Sequence, residues 1–140
     1  MDTNLDSDRA PIDWMQMGFY AAAVAFNLCL IAQLFTVGVA YFQNPAWWNI
    51  HVWFVRGYSG LSLILLGWVF VTTFPSKIQR LVVSLPLLLG LQFVSIHLKS
   101  PLNLAVLHPL IGFVLFYISS SLVHSVWRTL SPSDRQNGLV

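Results

Sequence analysis

Trp47-Trp48-Asn49-Ile50-His51-Val52-Trp53-Phe54-Val55-Arg56-Gly57 opens an apolar run that continues to Thr73. Its length suits a helix that crosses a bilayer, which takes roughly 20 residues. The same stretch carries His51 and Arg56. An ionisable side chain in a spanning segment is expensive and calls for a partner or a cavity. His51 has a counterpart at His108, in Leu107-His108-Pro109, where another apolar run begins.

The rest of the chain has the same character. Of its 140 residues 56% are hydrophobic and only 9% charged, with a mean hydropathy of +0.69. Soluble domains carry about a quarter charged residues, so a water-exposed surface is not what this composition builds. The length is that of one domain. Cys29 is the single cysteine, which excludes an internal disulfide, a Cys-x-x-Cys site and covalent c-type haem attachment. A scattered net charge of +2 argues against nucleic acid as a partner.

Punctuation residues divide the chain into four spans. Residues 1–13 hold four of the five acidic residues and read as a solvated tail without the basic start of a signal peptide, with Asp13 as helix cap. The first span covers about residues 18–42 and ends at Gln43-Asn44-Pro45. The second covers about 47–73 and stops at Phe74-Pro75-Ser76. A third at about 78–97 ends before Ser100-Pro101, and a fourth covers about 102–127. Residues 128–140 form a second polar tail. Connections this short make neighbouring helices antiparallel. The expected fold is an all-α integral membrane protein, an up-and-down bundle of four transmembrane helices. No internal repeat is evident.

Arg9, Lys77, Arg80, Arg128 and Arg135 fall on one side of such a bundle, and Lys99 on the other. The positive-inside rule then places both termini in the cytoplasm of a multi-pass protein. The loop at Trp47-Trp48 faces outward, together with His51, His97 and His108. In a ring that follows chain order, the second and fourth helices are diagonal. His51 and His108 then lie at similar depth, roughly 6–9 Å inside their helix starts at 1.5 Å per residue. Two imidazoles so placed suit the axial positions of one haem b.

Helical spacing puts Tyr58, Ser62 and Val69 on the His51 face, and Gly112, Leu115 and Ser119 on the His108 face. Gly112 would leave room for a porphyrin edge. Gln33 and Gln92 lie in the outer halves of the other two helices, where a buried amide needs a partner such as the other amide, an imidazole or water. Arg56 is a candidate for a haem propionate, although it points well away from the His51 face. Other readings remain. One is a metal ion with His97 as third ligand. A second is a cofactor-free membrane scaffold or subunit, and a third is a pocket for a small apolar ligand such as a quinone or carotenoid. Hydrolysis and ordinary cation transport are disfavoured, since no acidic residue lies within a span. A non-catalytic electron-transfer or binding role is therefore expected. The lipid bilayer is the certain partner of such a fold, with a redox partner, a quinone or further copies of the chain compatible with it.

The stretches Ala32-Gln33-Leu34-Phe35, Trp48-Asn49-Ile50-His51, Leu91-Gln92 and Leu107-His108-Pro109-Leu110-Ile111-Gly112 resemble a family of small bacterial four-helix membrane proteins of uncharacterised function. The resemblance implies four helices in the bacterial inner membrane, with a histidine on each of the second and fourth. More loosely, the spacing is similar to that of transmembrane b-type cytochromes. Those hold haem by histidines on non-adjacent helices, usually as two pairs. Here no histidine lies opposite His124 on the second helix.

The expected topology is open to cysteine labelling in a Cys29→Ser background. A cysteine at Asn44 should react with a membrane-impermeant reagent in intact cells, and one at Gln79 should not. Reaction at Gln79 would reverse the orientation.

Overall fold

The computed structural model describes residues 14–97 and 104–131. It contains α1 (Trp14–Phe42), α2 (Trp47–Val71), α3 (Ser76–His97) and α4 (His108–Leu130), with a 3₁₀ turn at Leu104–Leu107 before α4. Residues 1–13 with the expected cap Asp13, residues 132–140 and Lys99 lie outside the described residues, and residues 128–130, expected in the second tail, continue α4. All four helices are long and apolar enough to cross a membrane.

The turns follow from local chemistry. After α1, the Asn44 side chain accepts the Ala46 N–H at 2.9 Å, and the Trp47 N–H donates to the Asn44 carbonyl at 3.1 Å. Asparagine folding back on its own backbone is a turn-forming habit. Between α2 and α3, the Gln79 amide donates to the Phe74 carbonyl at 3.2 Å and anchors the Pro75 corner. The fourth span opens with the 3₁₀ turn at Leu104–Leu107 and becomes α-helical at His108. Pro109 has no N–H to donate and clashes with a preceding turn, so the α-helix begins at His108 with proline in its first turn. Pro86 is instead accommodated inside α3.

The four helices form the ring expected from chain order. Among the described residues, α1 packs on α2 and α4, α3 packs on α2 and α4, and the backbones of the diagonal pairs do not approach closely. Large apolar side chains such as Leu28, Leu63, Phe70, Leu87, Phe113 and Tyr117 point outward and are exposed. A monomer in water does not present so much apolar surface.

The interior shows an internal repeat that the sequence reading missed. On α2 the buried stripe is Tyr58, Ser62, Leu65 and Val69; on α4 it is Leu115, Ser119, Leu122 and Val126. The two stripes step alternately by four and three residues and coincide at one constant offset. Likewise Phe19, Ala23, Phe26, Leu30, Gln33 and Thr36 on α1 correspond to Ile78, Val82, Leu85, Leu89, Gln92 and Ser95 on α3. The bundle is thus two α-hairpins of the same internal pattern, packed as a pseudo-two-fold pair. One position departs through close packing. A Cβ on Gly18 would meet the Trp68 ring at 2.9 Å, so this contact between α1 and α2 needs glycine.

The equivalence predicts paired energetics. Leu65 and Leu122 are both fully buried, so Leu65→Ala and Leu122→Ala should each cost about 2–5 kcal/mol. Leu63→Ala, on the outer face of the same helix, should change stability by no more than about 0.5 kcal/mol. Reversible unfolding in mixed detergent micelles measures all three. A Leu63 cost equal to that of Leu65 would contradict the burial pattern.

Candidate functional site

Both apolar stripes of α2 and α4 stop well short of the helix N-termini. α2 buries nothing ahead of Tyr58, and α4 buries nothing ahead of Leu115. Tyr58 closes this end of the core, with its ring 5.7 Å from Phe26 and 5.4 Å from Phe54. Beyond it the interior turns polar. Gln33 and Thr36 come from α1, His51 from α2, Gln92 and Ser95 from α3, and His108 from α4.

His51 is held by its own hairpin. The Thr36 hydroxyl donates its one proton to the Gln33 carbonyl at 2.7 Å. In the Nδ1–H tautomer of His51, that nitrogen donates to the Thr36 oxygen at 3.1 Å, which has given its own proton away. Nε2 is left with the lone pair, and the Gln33 amide donates to it at 3.0 Å. The same amide nitrogen lies 2.9 Å from Nδ1 and donates to the His51 carbonyl at 3.1 Å. The Trp48 ring packs edge-on to the imidazole, with centroids 5.8 Å apart.

His108 repeats this arrangement in the second hairpin. The Ser95 hydroxyl donates to the Gln92 carbonyl at 2.9 Å. A carbonyl can only accept, so Nδ1 of His108 donates to Gln92 O at 3.3 Å, with Ser95 Oγ at 3.5 Å as a longer second acceptor. Its Nε2 also carries the lone pair. Each glutamine leaves a buried amide oxygen, Gln33 Oε1 and Gln92 Oε1, without a hydrogen-bond partner. Buried polar atoms are rarely left so, and an unpaired one points to a missing donor or ion.

Among the expected site residues, His51, His108, Gln33 and Gln92 therefore meet at one end, and Tyr58 forms the floor beneath them. The room expected at Gly112 is taken by Gln92, whose amide nitrogen would lie 3.2 Å from a Cβ there. Arg56 is exposed on the outer surface, with its guanidinium 5.4 Å from the Trp53 ring centroid, and does not turn toward His51. His97 is exposed and donates from Nδ1 to the Phe93 carbonyl of its own helix at 2.7 Å. No group of three or more histidine, cysteine or acidic side chains is placed to hold a metal ion among the described residues. Thr36 and Ser95 are the participants that sequence reading missed. Each lies one turn past a glutamine on the same helix face, and Gln-x-x-Thr and Gln-x-x-Ser were visible as a pair.

Residues 33–98 match the model of a family of unknown function, DUF6220. The matched region runs from Gln33 through α2 and α3, so it includes His51, Gln92 and Ser95 and ends before His108. No curated protein and no solved structure matches the chain. Nothing in these comparisons connects it with cytochromes.

The hydrogen bonds make a spectroscopic prediction. In ¹⁵N-labelled protein under mildly alkaline conditions, both imidazoles should appear as Nδ1–H tautomers. Thr36→Val removes the acceptor for His51 and should shift it toward the Nε2–H form while His108 stays unchanged. Ser95→Ala should have less effect, because Gln92 O remains as acceptor. Equal populations of the two tautomers in the parent protein would contradict the network.

Proposed function

We propose that this chain is a multi-pass membrane protein that holds one b-type haem between α2 and α4, with His51 and His108 as axial ligands, for electron transfer or haem sensing. The observation that carries the reading is the pair of imidazoles on diagonal helices, each with Nδ1 beside a hydroxyl or carbonyl oxygen that can accept from it. Metal-bound histidines characteristically use one nitrogen for the metal and donate from the other in this way. His51 and His108 would hold the iron of such a group through their Nε2 nitrogens. A bis-imidazole haem b supplies one-electron transfer without an open coordination position.

The chain's own residues do the rest. Thr36 orients His51, and Gln92 O with Ser95 orients His108. With haem bound, His51 would offer Nε2 to the iron, and the Gln33 amide that now lies 3.0 Å from it would donate elsewhere. Tyr58 and Leu115 separate the site from the apolar core. Exposed apolar surface on every helix supports the membrane setting. Lys77, Arg80 and Arg128 lie toward the end opposite the histidines, so positive-inside reasoning puts the site near the outer face of a bacterial inner membrane.

The orphaned amide oxygens favour a second reading. With the two Nε2 atoms, Gln33 Oε1 and Gln92 Oε1 make a four-donor set of nitrogen and oxygen for a bare divalent cation.

Detergent-purified protein should show a Soret band that sharpens and shifts on dithionite reduction, with a b-type pyridine haemochrome. His51→Ala and His108→Ala should each abolish the low-spin spectrum, and His97→Ala should leave it nearly unchanged. Colourless protein that contains stoichiometric zinc or copper, lost in the same two variants, would favour the cation. Protein with neither, and unresponsive to added haemin, would leave a cofactor-free scaffold.

A further inference from the structure

The pseudo-two-fold relation that matches the core breaks down on one flank. α1 carries Asn27 in its middle, and α4 carries Ser119-Ser120-Ser121 and then His124. The contact between α1 and α4 corresponds to that between α3 and α2. At the equivalent positions there, Asn27 is replaced by Pro86, Ser120 by Leu63 and His124 by Gly67. Packing two such hairpins therefore does not require polar side chains at this level, since the other flank manages without them.

A cleft of about 380 Å³ lies on the polar flank, lined by Tyr20, Asn27, Ser120, Val123, His124 and Trp127. That is the size of a small-molecule site. The Tyr20 and Trp127 rings form one wall, with centroids 5.8 Å apart and planes inclined by 39°. The Asn27 amide donates to Ser119 Oγ at 3.2 Å and to Ser120 Oγ at 3.0 Å, which uses both its protons. Its Oδ1 remains an acceptor. Ser120 keeps a hydroxyl proton to donate, and the His124 imidazole is exposed, with no hydrogen bond to the described residues.

We propose that this cleft binds the head ring of a lipid-soluble quinone. The proposal rests on the membrane reading but not on the haem. At 1.5 Å per residue, Asn27 lies about 20 Å from the Trp14 end of α1, and Ser120 about 15 Å from the Leu130 end of α4. In a hydrocarbon layer about 30 Å thick, that end of the cleft is near the middle, while Tyr20 and His124, about 9 Å from the same helix ends, and Trp127 line its shallower part. A phospholipid headgroup does not reach Asn27 and Ser120, and a hydrocarbon or carotenoid tail offers nothing to hydrogen-bond there. A quinone ring brings polar oxygens there on an apolar body. Its carbonyl accepts from Ser120 or His124, and the hydroxyl of its reduced form donates to Asn27 Oδ1 or to His124. Tyr20, Val123 and Trp127 supply the apolar and aromatic contact.

The test is equilibrium binding of decylubiquinone to the protein in lipid nanodiscs, with decylbenzene and phosphatidylglycerol as comparison ligands. Saturable one-to-one binding of decylubiquinone alone is expected. His124→Phe, on an exposed position that does not support the fold, and Ser120→Ala should each weaken it about tenfold, the loss of roughly one hydrogen bond. Gln79→Leu, at the pseudo-symmetric equivalent of Tyr20, should leave it unchanged, as should His51→Ala and His108→Ala. Decylbenzene binding as tightly as decylubiquinone, insensitivity to both cleft variants, or phosphatidylglycerol competing for the site would overturn the proposal. Loss of quinone binding in His51→Ala would assign any quinone to the histidine end instead.

Discussion

A hydroxyl has one proton to give, and the arrangement of the polar end depends on where two hydroxyls give theirs. Thr36 and Ser95 both donate to the carbonyl three residues back on their own helices. Each oxygen then faces an imidazole from the next helix as an acceptor. Thr36 thereby offers an acceptor to Nδ1 of His51, while Nδ1 of His108 donates chiefly to the Gln92 carbonyl, with Ser95 behind it; in these tautomers the lone pair is on Nε2 in both. The consequence is chemical before it is energetic. Interhelical polar contacts in membranes average only about 0.6 kcal/mol, so such contacts orient side chains more than they hold helices together. Stability comes from the apolar stripes below, where Leu65, Leu122, Val69 and Val126 are fully buried.

The helices were legible because length, hydropathy and Pro/Asn punctuation all pointed the same way. Their ring order followed from short loops, and the meeting of four polar residues at one end followed from that order. The repeat was equally present in the sequence and was missed. Tyr58, Ser62 and Val69 stand at the same offsets from His51 as Leu115, Ser119 and Val126 do from His108, but few of the paired residues are identical. The repeat lies in which positions are buried, and in an apolar sequence every face looks alike until burial separates them. Arg56 was legible only as a problem. Its solution is local, since the guanidinium lies over Trp53 on the outer surface.

Gln92 illustrates a different limit. Helical spacing placed Gly112 below His108 on an inward face, and the space it leaves is real. Which side chain takes that space is a matter of packing between α3 and α4, and the Gln92 amide takes it.

Pseudo-symmetry separates the two proposed sites by what each can bind. A ligand between His51 and His108 lies near the axis that relates the hairpins and meets the same imidazole, in the same tautomer, from both sides. Haem iron has two equivalent axial positions and accepts such a pair directly. A bare cation accepts it as well. The cleft at Asn27 lies off the axis, and its polar residues occur in one copy only. A site that must distinguish one end of a ring from the other has no use for symmetry. Polar residues retained on one flank, where Pro86, Leu63 and Gly67 suffice on the other, are what a directional ligand requires.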